Sequence, residues 1–101
     1  MGDMAMQSSH LTYIEKEKIK NFSYPSDDVL TTAEERNKRL NMIDQAIDAG
    51  NFAQFKVIIV FSDAHGVKEV ETTIWGRREH TIILKNNVLI PIHRIHKVIF
   101  H

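Results

Sequence analysis

His93 and His96 stand three residues apart in the segment His93-Arg94-Ile95-His96. If that segment turns helically, both imidazoles fall on one face and could share a divalent ion. More ligands would be needed. The chain has no cysteine, and no Asp or Glu lies between residue 80 and residue 101. His80, His101 or a distant carboxylate would have to complete the set. The competing reading is that the two histidines flank a turn joining two strands, with Ile95 tucked inward. We adopt it, and expect neither a metal nor a cofactor.

Two other groupings have the right residue types for catalysis. Glu69 and Glu71 fall on one face of an extended segment, and paired carboxylates can carry out acid–base hydrolysis. They sit on what reads as an open strand face, with no pocket to shift a pKa, and are expected to be surface glutamates. Ser62, Asp63 and His65 hold the letters of a catalytic triad, but neighbours in one turn cannot line up as nucleophile, base and orienting group. No phosphate-binding loop is present. The sequence therefore predicts a protein that is not an enzyme.

A basic and aromatic set remains: Trp75, Arg77, Arg78, Lys85, His93, Arg94, His96 and Lys97. An exposed aromatic ring beside arginines can stack a nucleobase while the cations hold phosphates. The same combination anchors protein–protein contacts. Alternatively, Trp75 packs under a helix or under the segment 10–22 and binds nothing.

Bulk properties limit the choice. One hundred and one residues make a single domain. Without cysteine, apolar packing and backbone hydrogen bonds must hold it. No basic and apolar leader is visible, and the longest apolar run, 57–61, is far short of the ~20 residues that span a bilayer. This predicts a soluble, cytoplasmic protein that does not bind membranes. The formal net charge is +0 but uneven. Residues 1–54 hold six Lys/Arg against nine Asp/Glu; residues 55–101 hold seven against four. The basic half would suit an anionic partner, unless the two halves simply neutralise each other.

The elements that must position these residues follow from periodicity. Residues 1–9 read as a polar tail, 10–22 fit no period, and 23–28 read as a loop around Pro25. We therefore expect a disordered or loosely packed arm over 1–31, and one folded domain over 32–101. Thr32-Ala33-Glu34-Glu35 is a capping box. Ala33, Arg36, Leu40, Ile43, Ala46 and Ile47 then form an apolar stripe, and Gly50-Asn51 is a stop signal. This predicts an amphipathic helix over 33–49, with Glu34, Lys38, Asn41, Gln45 and Asp48 outward.

From Phe55 the period becomes two. A first strand, apolar on both faces, runs to the turn at 62–66. A second runs over 67–76, with Val70, Thr72 and Ile74 inward, Trp75 outward, and Gly76 at a bend or bulge. A third covers 80–85 and turns tightly at Asn86-Asn87. A fourth covers 88–92, and a short 3₁₀ turn at 93–95 leads to a last strand over 96–100.

Five short strands with tight turns predict a mainly β (α+β) fold, a small closed barrel preceded by one helix. Residues 55–100 resemble an SH3-like or Sm-like barrel in the twisted first strand, the turn from Asp63 to Gly66, the Asn86-Asn87 hairpin and the one-turn link to the last strand. Residues 32–100 are similar to a family of small uncharacterised bacterial proteins. That likeness rests on Glu34-Glu35-Arg36, Gly50-Asn51 and the segments VIIVFSD, VETTIW, ILK and IPIHRI. In architecture the chain resembles the Rho-binding antiterminator family, in which one helix precedes an Sm-like barrel. The resemblance implies a binding or regulatory role and carries over no binding residue. The leading expectation is a protein-interaction module using Trp75, Arg77, Arg78 and the 93–97 turn. An RNA- or DNA-binding regulator using the same surface is the alternative. The partner and the oligomeric state are not legible.

Overall fold

The computed structural model describes residues 12–100; the tail expected over 1–9 and His101 lie outside the described residues. The chain forms an α+β globule. A two-residue strand β1 (Thr12–Tyr13) and a 3₁₀ segment at 16–21 precede one helix, α1 (Ala33–Ala53). Six strands follow: β2 (Val57–Asp63), β3 (Gly66–Thr72), β4 (Ile74–Arg77), β5 (Thr81–Leu84), β6 (Leu89–Pro91) and β7 (Ile95–Ile99).

The strands divide into two sheets, ordered β1-β3-β2-β7 and β4-β5-β6. The six strands after the helix pair antiparallel, while β1 adds parallel to the edge of β3. The expected closed five-stranded barrel is therefore not formed. The second predicted strand breaks at Thr73, and its two parts enter different sheets. Two contacts take the place of closure. α1 packs against β4 and β7, which are edge strands of different sheets, and the 16–21 segment packs against β3 and β6.

Thr32 caps α1 as its sequence requires: the Glu35 amide donates to Thr32 Oγ1 at 3.1 Å, and that hydroxyl donates to Glu35 Oε1 at 3.1 Å. The predicted outward residues Glu34, Lys38, Asn41, Gln45 and Asp48 are all exposed. The buried line differs from the predicted stripe. It runs through Arg39, Ile43, Ala46 and Gly50, while Ala33 and Arg36 are exposed. A count of apolar residues misses Arg39, whose burial depends on partners distant in sequence.

The helix also passes its expected stop. Gly50 lies inside it, and the chain turns at Gln54, a left-handed residue with φ 55°. Gly50 serves close approach instead of capping. A Cβ there would lie 2.7 Å from Thr73 Cγ2 and 2.8 Å from the Ile74 carbonyl oxygen.

The core contains Ile43 and Ala46 of α1, alternate residues of the strands, and Ile19 of the 3₁₀ segment. Val57, Ile59 and Phe61 are fully buried on one face of β2, and Val60 is buried on the other, so this strand is covered on both sides as expected. Ile82, Leu84, Val88, Ile90 and Val98 point inward as predicted, whereas Ile92 and Phe100 are only half-buried. The segment from Ile14 to Tyr24, assigned from sequence to a loose arm, is built into the core. Ile19 is fully buried, and Phe22 and Tyr24 each lie 6.4 Å from the Phe61 ring. Asn86 and Asn87 form the predicted turn, both at positive φ.

Gly50→Ala is the direct test of the close approach. In an open helix this change would add up to ~1 kcal/mol of stability. Here the neighbours include backbone, so the clash dominates. Urea unfolding should show a net loss of about 1–2 kcal/mol, within the range of overpacked sites. A gain in stability would mean that Gly50 is not pressed against the sheet.

Candidate functional site

The eight residues singled out from sequence do not form one surface. Trp75 and Lys85 meet at the C-terminal end of α1, where they line a hollow of about 380 Å³ with Gly50, Asn51, Gln54 and Thr73. Trp75 gets there through a β-bulge. Ile74 pairs with Leu84 and Gly76 with Ile83, so Trp75 is the extra residue with no partner across the ladder. A bulged residue is re-aimed out of the regular pleat. The ring is 47% exposed. It neither packs under the helix nor joins the core, although its neighbour Thr73 is buried beneath the last turn of α1.

Arg77 lies on the same strand but is engaged: its Nε donates to Asp44 Oδ1 of α1 at 2.7 Å, and Nη2 to Oδ2 at 3.3 Å. This pairing raises its already high pKa. The Arg78 side chain is exposed, and its backbone amide donates to the Thr81 carbonyl at 2.7 Å.

Arg94 is not a surface residue. It is 7% exposed; Nε donates to the Ser62 carbonyl at 3.2 Å, and Nη1 to the Asp27 carbonyl at 2.8 Å and Asp27 Oδ1 at 3.1 Å. His93 is tied to the same loop through Nε2, which donates to the Pro25 carbonyl at 2.9 Å. These two residues fasten the 23–28 loop to the sheets. The proposed joint surface of Trp75 and Arg94 therefore does not exist, because the guanidinium is needed inside to satisfy backbone carbonyls.

His96 parts from His93 at a second bulge. Val60 pairs with Lys97 and Phe61 with Ile95, which leaves His96 as the extra residue of β7. The bulge also explains why the inward residues Ile95 and Val98 are three apart. His96 Nε2 lies 2.6 Å from Ser62 Oγ in a hydrogen bond. Burial, followed by the charges of Arg94, Arg39 and Lys97, pushes the His96 pKa below its ordinary value, so the imidazole is neutral at pH 7. The Ser62–His96 pair was not legible, since 34 residues separate its members.

Asp63, the other suspected triad member, caps its own turn. Its Oδ1 accepts from the His65 and Gly66 amides at 2.8 and 3.0 Å and from Lys68 Nζ at 3.1 Å. Its pKa is held below the ordinary carboxylate value: burial opposes that shift, and the amides and Lys68 outweigh it. Glu69 and Glu71 are half-buried on β3, the strand that receives β1. Among the described residues, no group of three or more His, Cys, Asp or Glu gathers as a metal site.

His96 and Lys97 line a second hollow, of about 370 Å³, between β7 and the first half of α1. Arg39 forms part of its wall. Nη1 and Nη2 of Arg39 donate to the two Asp28 oxygens, each at 2.8 Å, and Nη1 also donates to the Ile95 carbonyl at 3.1 Å. The arginine side chain is only 5% exposed. This bidentate contact holds the Asp28 carboxyl at about 2. Nothing in the local sequence pattern marks Arg39 as a buried cation, so its role was not legible there.

A third hollow, of about 470 Å³, lies between the 3₁₀ segment and the Asn86-Asn87 turn. Tyr24 borders it. Its phenol is buried without a hydrogen-bond partner among the described residues, and burial, with Asp63 nearby, pushes its pKa well up.

No family model, curated protein or solved structure matches this chain. No helix among the described residues is long and apolar enough to cross a membrane.

The three depressed groups, His96, Asp28 and Asp63, define the acid response. Where the folded pKa lies below the unfolded one, stability is present above the unfolded value and lost as pH falls through the folded value. Unfolding free energy should therefore decline as pH drops below ~6.5, where His96 begins to protonate in the unfolded chain. It should decline again from ~4 towards 2, the range of Asp28. His96→Gln should remove the first step. Asp28→Asn should reduce the second, leaving the Asp63 share, and cost about 3 kcal/mol at pH 7 by stranding Arg39. Urea titrations at a series of pH values read both effects. A pH-independent Asp28→Asn penalty between pH 2 and 7 would refute the assignment.

Proposed function

We propose that this protein is a non-enzymatic, cytoplasmic binding module whose contact face is the aromatic surface at the C-terminal end of α1, and that its partner is another protein. The observation that carries this reading is Phe52, 94% exposed in the last turn of the helix. Burying such a ring is worth roughly 1.5–3 kcal/mol, none of which the isolated chain obtains. Trp75 is half exposed and Phe55 is exposed. Asn51 and Gln54, from the same helix end as Phe52, line the Trp75 hollow, which gives the face a concave seat. Aromatic anchors around such a seat are the residues that dominate protein interfaces.

A protein is preferred to a nucleic acid because most of the arginines that would hold phosphates are engaged internally. Arg77 is on Asp44, Arg94 on the 23–28 loop and Arg39 on Asp28. One observation favours the second reading, single-stranded RNA or DNA. The Trp75 hollow also holds two amide side chains and Lys85, which can meet the edge and the phosphate of a stacked base.

Affinity capture from the source cells, with and without nuclease, separates these readings. A protein partner should survive nuclease and moderate salt. Trp75→Ala and Phe52→Ser should each weaken its binding by about 2 kcal/mol, roughly thirtyfold. Both residues are exposed, so the unfolding free energy should move by no more than ~0.5 kcal/mol. Retention that collapses after nuclease treatment, with a steep log–log salt dependence, would support the nucleic-acid reading instead. Binding unchanged in both variants would remove this face from consideration.

A further inference from the structure

The hollow between β7 and the first half of α1 is built from two kinds of surface. Leu30, Met42 and Val98 make it apolar, while Lys38 from the helix and Lys97 from the strand bring two exposed ammonium groups to its rim. Neither lysine has an ion pair among the described residues. We propose that this hollow is a binding site for a small monocarboxylate on an apolar body, its carboxylate held between Lys38 and Lys97 and its body against Met42 and Val98. The site is separate from the aromatic face and does not depend on it.

The charge balance selects an anion, and the apolar lining selects a carboxylate that carries an apolar body. Arg39 is neutralised by its bidentate contact with Asp28. Glu35, also in the lining, offsets one lysine, and its carboxylate already accepts from the Thr32 hydroxyl. His96 contributes no charge at pH 7. Arg36 Nε lies 3.5 Å from the same Asp28 carboxylate, so the surroundings stay net positive and attract an anion, and the apolar lining favours a carboxylate on an apolar body over inorganic phosphate. The volume, about 370 Å³, falls in the lower part of the ~300–1,000 Å³ range of small-molecule sites. The bulge at His96 belongs to the same design. It turns the imidazole towards the hollow and keeps Val98 in the apolar lining.

The probe is octanoate, titrated into the full-length protein and followed by amide and methyl NMR. The expected result is a saturable set of shifts confined to Leu30, Met42, His96, Lys97 and Val98, with the His96 titration midpoint rising on saturation. The double change Lys38→Gln with Lys97→Gln should weaken octanoate by more than about tenfold while the remaining spectrum stays native, since hydrogen bonds to charged groups carry at least that much. Octanol should bind more weakly than octanoate by a similar factor. A short apolar peptide tests the source of the carboxylate: binding with a free but not an amidated C-terminus would identify a chain terminus as the ligand, and octanoate binding alone a free acid. The proposal is overturned if octanoate gives no saturable shifts, if octanol binds as well, if the double variant binds unchanged, or if inorganic phosphate binds this hollow more tightly than octanoate.

Discussion

The packing of α1 across the gap between β4 and β7 is the contact on which the rest of the structure depends. Both strands end a sheet, and both would otherwise offer unpaired backbone and apolar side chains to solvent. A closed barrel solves that problem with strand pairing; this chain solves it with a helix. The solution imposes two local demands. At one end Gly50 must carry no side chain, because the backbone of Ile74 occupies the space. At the other end Arg39 must carry its charge into the interior, and can do so because Asp28 and the Ile95 carbonyl receive its donors. Ile43 and Ala46 fill the interval between them.

The same packing explains where binding surfaces arise. A helix laid over two sheet edges leaves a hollow at each end, because its straight axis cannot follow the twist of both sheets. One hollow lies beside Trp75 and the other beside His96. In each case the prominent residue is the unpaired member of a bulge. The bulges end regular pairing next to the helix and turn a side chain out of the ladder at that point. The sheet irregularities and the candidate sites are therefore two results of one packing arrangement.

Charge is allocated by the same logic. Arg39 and Arg94 serve carbonyls and carboxylates of the segment between Pro25 and Leu30, and His93 adds a third tie to it. That segment has no regular structure of its own and is held by side chains from α1 and the 3₁₀ turn Ile92–Arg94. A net charge of zero thus conceals internal pairing, and the lysines, more than the arginines, face outward.

Much of the architecture was legible from residue order. The Thr32 cap, the outward face of α1, the alternation from Val57, the turns at Asp63–Gly66 and Asn86-Asn87, and the bulge near Gly76 all follow from local chemistry, which acts over a few residues and is written in the same few residues. What depends on distant partners was not legible. The break at Thr73, the burial of Arg39 and Arg94, the last turn of α1 and the pairing of Ser62 with His96 each join segments far apart in the chain. A periodic pattern records which way a side chain faces relative to its neighbours. It does not record whether a cation will find a carboxylate, or whether a sheet will close on itself or on a helix. Those outcomes depend on how whole elements share one core, and only the tertiary structure decided them.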